Sequence, residues 1–301
     1  MTDKIDDQLI KNQINNRLPL SLFLALIMGF PFLNLRMGET PVKIPILGFH
    51  GITKAKNPIL ADQQADIDYP QAELEKLLEY LIIHDYWFLT SQDLYDYFLT
   101  KSKAIPPQHR GQKAIMLTFD DGYKTVYTNL LPVLSKLEKK YNKKIKVVLF
   151  INPGHLANEQ SIASTKLSCP ELRAGFKKDF FDIQSHGENH LDLTKLSQQK
   201  IFSELLLSRI KLRKCLQDLD PDQKVAAHLA YPYGAYNKLV EQYVKKYYLS
   251  AYLYNDETLN YSCLKNSYQI PRLMVYSQRK SQEVIKIIQE LSVSDKSKTK
   301  C

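Results

Sequence analysis

The chain has 301 residues, of which 44% are hydrophobic and 24% charged, so it is long enough for one large domain and is not a largely disordered protein. Its formal net charge is +9, and much of the excess lies in lysine clusters at 139–144 and 296–300. Tyr141 is the one aromatic residue within these clusters, so there is no basic stripe interleaved with aromatic residues, and no nucleic-acid-binding motif is found; nucleic acid is therefore not an expected partner. We interpret the clusters as a helix end and a polar tail, with an acidic polymer or a membrane surface as alternative partners.

An apolar segment, LPLSLFLALIMGFPFLNL, occupies residues 18–35. Its length is at the short end of the range for a membrane span. The leader before it mixes acidic and basic residues, and no small-residue cleavage site follows it, so we favour an uncleaved anchor over a cleaved signal peptide. A buried N-terminal helix is the other alternative. We assign 1–36 to a cytoplasmic leader with a membrane anchor or signal segment, 37–291 to a membrane-anchored or secreted domain in the cell envelope, and 292–301 to a polar tail.

After this segment, short strand-like runs alternate with longer helical ones. The runs predicted as strands are 42–50, 113–119, 145–152, 180–186, 224–234, 247–254 and 269–277. The segments predicted as helices are 69–87, 126–141 with a break near Pro132, 197–219 and 281–291. Such alternation is typical of parallel strands joined by helical crossovers, which predicts either a barrel or an open doubly wound sheet. No glycine-rich phosphate loop is present, so nothing favours a nucleotide-binding sheet.

Candidate catalytic residues follow four of these predicted strands. They are His50, the pair Asp120 and Asp121, the pair His186 and His190, and the sequence YPYG at 231–234. The carboxyl ends of parallel strands share one rim, and the chemistry of a barrel is placed on that rim. We therefore expect these four groups to lie close together.

Two of the groups have the residue types of a metal site. Asp120–Asp121–Gly122 is ordinary turn chemistry when it stands alone. His186 and His190 are separated by residues that favour a loop, and two imidazoles with one carboxylate make a metal site that leaves positions open for water and substrate. The alternative is a pair of surface-loop histidines beside an acidic turn. The remaining histidines are interpreted as structural.

Four cysteines, Cys169, Cys215, Cys263 and Cys301, lie far apart in the sequence. None forms a Cys-x-x-Cys pair, so a cysteine-based zinc site has no support. In an exported chain they allow up to two disulfides in three pairings, and free thiols are equally compatible with the sequence. The disulfide state stays open at this point.

With these residues assembled, the chain resembles the polysaccharide deacetylases of carbohydrate esterase family four, which share the nodulation-type deacetylase homology domain. TFDDG at 118–122 is similar to the first family motif, SHGENH at 185–190 to the second, and YPYG at 231–234 to the third. The resemblance covers roughly 42–280. It implies a distorted (β/α) barrel with about seven strands, in agreement with the runs counted above.

The chain departs from the common family pattern in two places. Ala230 stands where an arginine usually begins the third motif, and the late segment RLMVYSQRKSQE lacks the usual histidine. Both departures resemble a subset, the poly-β-1,6-N-acetylglucosamine N-deacetylases, in which a histidine ends an N-terminal strand. ILGFHGI at 46–52 and YQIPRLMV at 268–275 are similar to that subset, although its histidine pair can be spaced one residue wider.

The resemblance implies a role for each site residue. Asp121, His186 and His190 would hold a divalent metal, expected to be zinc, with cobalt, nickel or manganese as alternatives. Asp120 would be the general base and His50 the general acid. The backbone N–H of Tyr233 would stabilise the oxyanion, and Arg272 would replace the missing arginine beside Asp120. Substrate contacts are expected from Tyr123, Tyr231, Pro232 and Tyr233.

The implied activity is metal-dependent hydrolysis of N-acetyl groups on a β-linked N-acetylglucosamine polysaccharide. The expected partners are this polymer and, through the N-terminal segment, a membrane. Alternatives on the same scaffold are deacetylation of peptidoglycan, chitin oligomers or xylan. A catalytically silent carbohydrate-binding protein and an amidase acting on small molecules are the alternatives from other classes.

Overall fold

The computed structural model describes residues 43–54, 67–158 and 164–292. The apolar segment at 18–35 and almost all of the predicted polar tail lie outside these ranges, so the expectations for them stay predictions. Within the described ranges, no helix combines the length and apolar character that crossing a bilayer requires.

Short strands and helices alternate through the described part of the chain. The strands are β1 Lys43–Ile44, β2 Ile46–Phe49, β3 Ile52–Thr53, β4 Tyr69–Pro70, β5 Trp87–Phe88, β6 Ala114–Asp120, β7 Val147–Ile151, β8 Phe181–Ser185, β9 His228–Ala230, β10 Ser250–Tyr252, β11 Leu259–Asn260 and β12 Leu273–Met274. The helices are α1 Gln71–Ile83, α2 Ser91–Asp93, α3 Leu131–Tyr141, α4 Cys169–Lys177, α5 Gln198–Leu216, α6 Lys238–Tyr247 and α7 Ser281–Ser292. Turns of π-helix at Leu94–Leu99 and Val126–Leu130 extend α2 and precede α3.

Seven strands form one parallel sheet in the order β10-β9-β8-β7-β6-β2-β12, and β5 pairs with the beginning of β6. The sheet curls into a half-barrel with helices around it, which confirms the predicted distorted (β/α) barrel. All seven predicted strand runs contain a strand of this sheet. Pro45 divides the first run, so that β1 pairs with β11 and only β2 joins the main sheet.

The strands are apolar on both faces, because each face is covered. Leu47, Leu117 and Leu149 point outwards into the layer between sheet and helices. Ile46, Met116 and Val148 point into the barrel. Asp120 continues the inward series of β6, so its carboxylate faces the barrel interior at the carboxyl end of the strand.

The register of the parallel strands places the predicted catalytic residues next to one another at the carboxyl edge of the sheet. Phe49 pairs with Phe119, which places the next residues, His50 and Asp120, side by side at the strand ends. Ser185 pairs with Leu229, which sets His186 beside the end of β9. The rim predicted from the sequence therefore exists in the structure.

Three helices, α2, α4 and α6, were not predicted from the sequence, and the disulfide state left open there is now given for one pair of cysteines. Helix α4 has nine residues and α6 has ten, and each buries few side chains completely. A disulfide joins Cys169, the first residue of α4, to Cys215 near the end of α5. In place of the break predicted near Pro132 the helix changes type, since the π-helical turn Val126–Leu130 passes directly into α3, which has the proline in its first turn.

Candidate active site

Asp121, His186 and His190 come together at the carboxyl edge of the sheet. Asp121 Oδ1 lies 3.5 Å from His186 Nε2 and 3.2 Å from His190 Nε2. One ligand atom from each residue lies within 4.8 Å of the others. This spacing is short enough for one small cation to contact all three side chains.

The surroundings of these atoms fit a metal ion. Asp121 Oδ1 is buried, and no hydrogen-bond donor contacts it within the described ranges. His186 Nδ1 lies 2.8 Å from the carbonyl oxygen of Ala230 and donates to it, which leaves Nε2 facing Asp121. Burial, and next His186, lower the pKa of His190 to about 4, so His190 is neutral at physiological pH. Lone pairs facing a buried, unpartnered carboxylate oxygen are the donor set of a divalent cation.

The backbone explains how the turn and the ligand coincide. Asp121 follows β6 with a φ of 68° and Gly122 with a φ of 64°. This left-handed conformation is open to glycine and tolerated by aspartate, and it reverses the chain directly after the strand. The Asp-Asp-Gly sequence is therefore a turn, and that turn directs the Asp121 carboxylate towards the two histidines.

Asp120 forms a buried ion pair with Arg272. Both distances from the guanidinium to the carboxylate oxygens are 2.8 Å, and the two side chains are 2% and 0% exposed. The guanidinium also donates to Thr118 Oγ1 and to the carbonyl oxygen of Leu253. Burial alone would raise the pKa of Asp120, but Arg272 and then His186 outweigh it and hold the value at about 2. Asp120 is consequently ionised at any physiological pH.

Ala230, whose side chain is buried, occupies the position where the family usually has an arginine. The guanidinium beside Asp120 is supplied by Arg272 instead. Arg272 lies directly before β12, which pairs with β2. Its guanidinium lies 5.2 Å from the ring centre of Phe150 and 5.5 Å from that of Tyr254. The positive charge that the resemblance predicted beside Asp120 is therefore present. It comes from Arg272, next to β12, and not from the position of Ala230 in β9.

His50 lies half-buried at the end of β2, facing the same cluster. Its Nδ1 is 3.5 Å from Tyr254 Oη, and the two rings meet edge to face at 5.6 Å. Burial lowers the pKa of His50, and the charges of Asp120 and Asp121 offset part of this effect. These interactions place a titratable imidazole across the site from the two histidines of the triad.

The residues of the YPYG turn differ in burial and in backbone conformation. Tyr233 is left-handed with a φ of 59°, and its ring is 66% exposed and 4.5 Å from that of His190. The side chains of Tyr231 and Pro232 are buried, so the expectation that they contact a polymer is corrected: they shape the turn. Gly234 has a φ of 66°, and a Cβ there would lie 2.8 Å from the backbone nitrogen of Tyr254, so only glycine fits this position.

Two polar residues beside the site were missed in the sequence. Lys166 donates to the carbonyl oxygen of Asp121 at 3.1 Å, and its ammonium lies 3.7 Å from the ring centre of the predicted substrate residue Tyr123. No sequence signal marks this lysine. Asn152 follows β7 and donates to the carbonyl oxygens of His186 and Gly187. The reasoning that selected candidate residues after predicted strands could also have found Asn152, since it directly follows β7.

Several known proteins are similar to this chain in sequence or in fold. The polysaccharide deacetylase family profile matches residues 108–252. A poly-β-1,6-N-acetyl-D-glucosamine N-deacetylase from Staphylococcus aureus is 29% identical over 207 residues, which is 68% of this chain and 67% of that protein. A Bacillus cereus polysaccharide deacetylase structure has a TM-score of 0.67 at 23% identity, over 82% of this chain and 69% of that one. A Streptococcus pyogenes deacetylase has a TM-score of 0.67 at 22% identity, over 82% and 98%. Residues 108–252, just under half of the chain, therefore match the polysaccharide deacetylase family, and the described residues have the fold of the two deacetylase structures.

Proposed function

We propose that this protein is a metal-dependent N-deacetylase of a β-linked N-acetylglucosamine polysaccharide, with poly-β-1,6-N-acetylglucosamine as the first candidate. The observation that carries the proposal is the triad of Asp121, His186 and His190 gathered beside a buried, ionised Asp120. Zinc is the expected ion, and cobalt, nickel and manganese are the alternatives. The name of the Staphylococcus aureus relative supports the choice of polymer.

The hydrolysis needs a base, a donor for the oxyanion and an acid. A divalent cation bound by the triad would polarise the acetamide carbonyl and lower the pKa of a water molecule. Asp120 accepts the proton of the attacking water, and Arg272 keeps this carboxylate ionised and oriented. The backbone N–H of Tyr233 donates to the oxygen on which negative charge develops, and such a donor is typically worth about 3 kcal/mol.

His50 completes the reaction as general acid. An amine expelled without a proton is a very poor leaving group, so a proton must reach the nitrogen as the C–N bond breaks. His50 stands at the end of β2 and experiences the charges of both Asp120 and Asp121, which is the position from which it can donate that proton. The products are free acetate and the amine of the polymer.

His50→Gln is expected to lower kcat/KM by about 10²–10⁴-fold while zinc affinity stays within a few-fold of wild type. As the acid, His50 must hold a proton, so activity falls as the pH rises through its pKa. Burial lowers that pKa, so the basic limb of the wild-type profile is expected below the ordinary histidine value of about 6.5, and the variant loses this limb. His84→Gln, at the exposed end of α1, is the matched control. A full-rate variant with an unchanged profile would remove His50 from the mechanism.

The location proposed for the enzyme is the cell envelope, either membrane-anchored through 18–35 or secreted. The substrate class lies outside the cytoplasm. The disulfide between Cys169 and Cys215 also supports an oxidising compartment.

The polymer is tested by amine release from a panel of substrates. The full chain with zinc is incubated with β-1,6-linked N-acetylglucosamine oligomers, chitin oligomers and peptidoglycan fragments, and acetate release from acetylated xylan is followed in parallel. The proposal predicts the highest kcat/KM on the β-1,6-linked oligomers. A higher value on another member of the panel would replace the polymer and keep the chemistry.

A further inference from the structure

We propose that Glu204 of α5 is a positioning residue for His190, holding the loop that carries this histidine in the conformation that binds metal. This inference rests on the metal site proposed above. It extends that site to a helix that none of the sequence motifs includes.

The two histidines are held by different means. His186 directly follows β8, its backbone N–H donates to the carbonyl oxygen of Ile151, and its ring is fixed by Ala230. His190 lies four residues further on, in a loop, with a φ of 55°. Residues other than glycine adopt this left-handed conformation uncommonly, and it is stabilised by surrounding contacts where it occurs. His190 therefore depends on contacts outside its own strand.

Glu204 supplies such a contact at the residue directly before His190. Its Oε2 accepts the backbone N–H of Asn189 at 2.8 Å, and its Oε1 accepts the side-chain amide of the same residue at 2.7 Å. Glu204 is only 5% exposed, so water competes little for these bonds. Together they fix both the backbone and the side chain of Asn189, and with them the peptide that leads into His190.

The same face of α5 holds the rest of the loop. Glu204, Ser208 and Lys211 are spaced four and three residues apart, so they lie on one side of the helix. Ser208 Oγ is 2.7 Å from the hydroxyl of Ser185, which in turn accepts the backbone N–H of Gly187. Lys211 forms an ion pair with Glu188, which is 3% exposed. Glu204 and Lys211 thus contact the segment between β8 and His190 directly, and Ser208 reaches it through Ser185 at the end of β8.

A 3-10 turn at Pro153–His155 also contacts the loop. Gly154 donates its backbone N–H to the carbonyl oxygen of Glu188 at 2.9 Å. A Cβ at Gly154 would lie 2.3 Å from Asn189 Oδ1. A side chain at Gly154 would displace the loop, so the loop packs directly against this turn as well as against α5.

The test compares Glu204→Ala and Glu204→Gln in the full chain. Zinc affinity is measured by competition with a chromophoric chelator, and the thermal midpoint Tm is measured with and without zinc. Partners that orient metal ligands typically change affinity by about 10–100-fold, and this is the weakening expected for Glu204→Ala. Glu204→Gln keeps one acceptor for Asn189, so a smaller loss is expected. The rise in Tm caused by zinc should shrink in the same order.

Glu73→Ala is the control for a carboxylate that acts only on stability. Glu73 accepts the backbone N–H and the hydroxyl of Ser281, so it too makes two bonds through its carboxylate, at the start of α7. This variant should lower Tm in the absence of zinc and leave zinc affinity unchanged.

The outcomes separate the two proposals. If wild type does not bind zinc or the other three metals, the proposed metal site is overturned. If wild type binds zinc and both Glu204 variants bind it equally well, the positioning role is overturned and the metal site stands. If Glu204→Ala fails to fold, Glu204→Gln decides: unchanged zinc affinity contradicts the inference, and weakened affinity with a Tm near that of wild type supports it.

Discussion

Arg272→Ala is expected to lower the free energy of unfolding by about 3–5 kcal/mol, because it leaves the Asp120 carboxylate buried without its cation. The two side chains are 2% and 0% exposed and are joined by two bonds of 2.8 Å, so little solvent is available to replace the guanidinium once it is removed. Urea unfolding of wild type and variant measures the loss. A change under about 1 kcal/mol would show that the ion pair contributes little.

The same variant should change the pH dependence of activity. In wild type the pKa of Asp120 is lowered, so its contribution to stability is fully present above the ordinary aspartate pKa of about 3.9 and is lost as the pH falls towards 2. Without Arg272, burial dominates and raises the pKa of Asp120, so the base becomes protonated at higher pH. The acid limb of kcat/KM should therefore move upwards. An unmoved limb would make Arg272 a structural residue only.

A double-mutant cycle isolates the pair. Asp120→Asn combined with Arg272→Ala should cost less than the sum of the two single changes, because the second substitution no longer strands a buried charge. Additive losses would contradict a direct coupling between the two side chains.

Asp120→Asn is expected to lower kcat by about 10²–10⁴-fold while zinc affinity stays within a few-fold of wild type. The amide preserves the shape of the side chain and cannot accept the proton of the attacking water. Asp182→Asn is the matched control, since Asp182 is a half-buried aspartate of the same sheet, in β8, where it accepts hydrogen bonds from Ser91. Zinc-loaded Asp120→Asn with wild-type kcat would show that another group is the base.

The sequence predicted the barrel well because its signal is local. Parallel strands that are buried on both faces give continuous apolar runs, and each of the seven runs contains a strand of the sheet. Helices α4 and α6 were missed because their stabilisation is not local. Helix α4 completely buries only Leu172 and Gly175 and is tied by its disulfide, and α6 is held by packing on α5.

In the site, too, some features have a local sequence signal and others do not. Register alone accounts for the gathering of His50, Asp120 and His186, since each lies at the carboxyl end of a strand of the parallel sheet. Motif letters could not show that Tyr231 points into the core while Tyr233 points outwards, because the turn between them reverses the chain. The contacts of Glu204 with Asn189 were also beyond reach, since a helix face that holds a loop resembles any partly buried polar stripe.

The pairing of Arg272 with Asp120 spans 152 residues of sequence. It depends on β12 closing the sheet beside β2, which no local pattern reveals. Only the resemblance to a deacetylase subset indicated that an arginine was to be expected there.

The most direct test of the central claim is amine release from β-1,6-linked N-acetylglucosamine oligomers by the full chain, first stripped of metal and then supplied with zinc. Asp121→Asn is assayed in parallel, because it removes a charged ligand and preserves the shape of the turn. The account predicts no release without metal, restored release with zinc, and loss of both zinc binding and release in the variant. Release that is independent of metal, or an Asp121→Asn variant that binds zinc and reacts as wild type does, would contradict it.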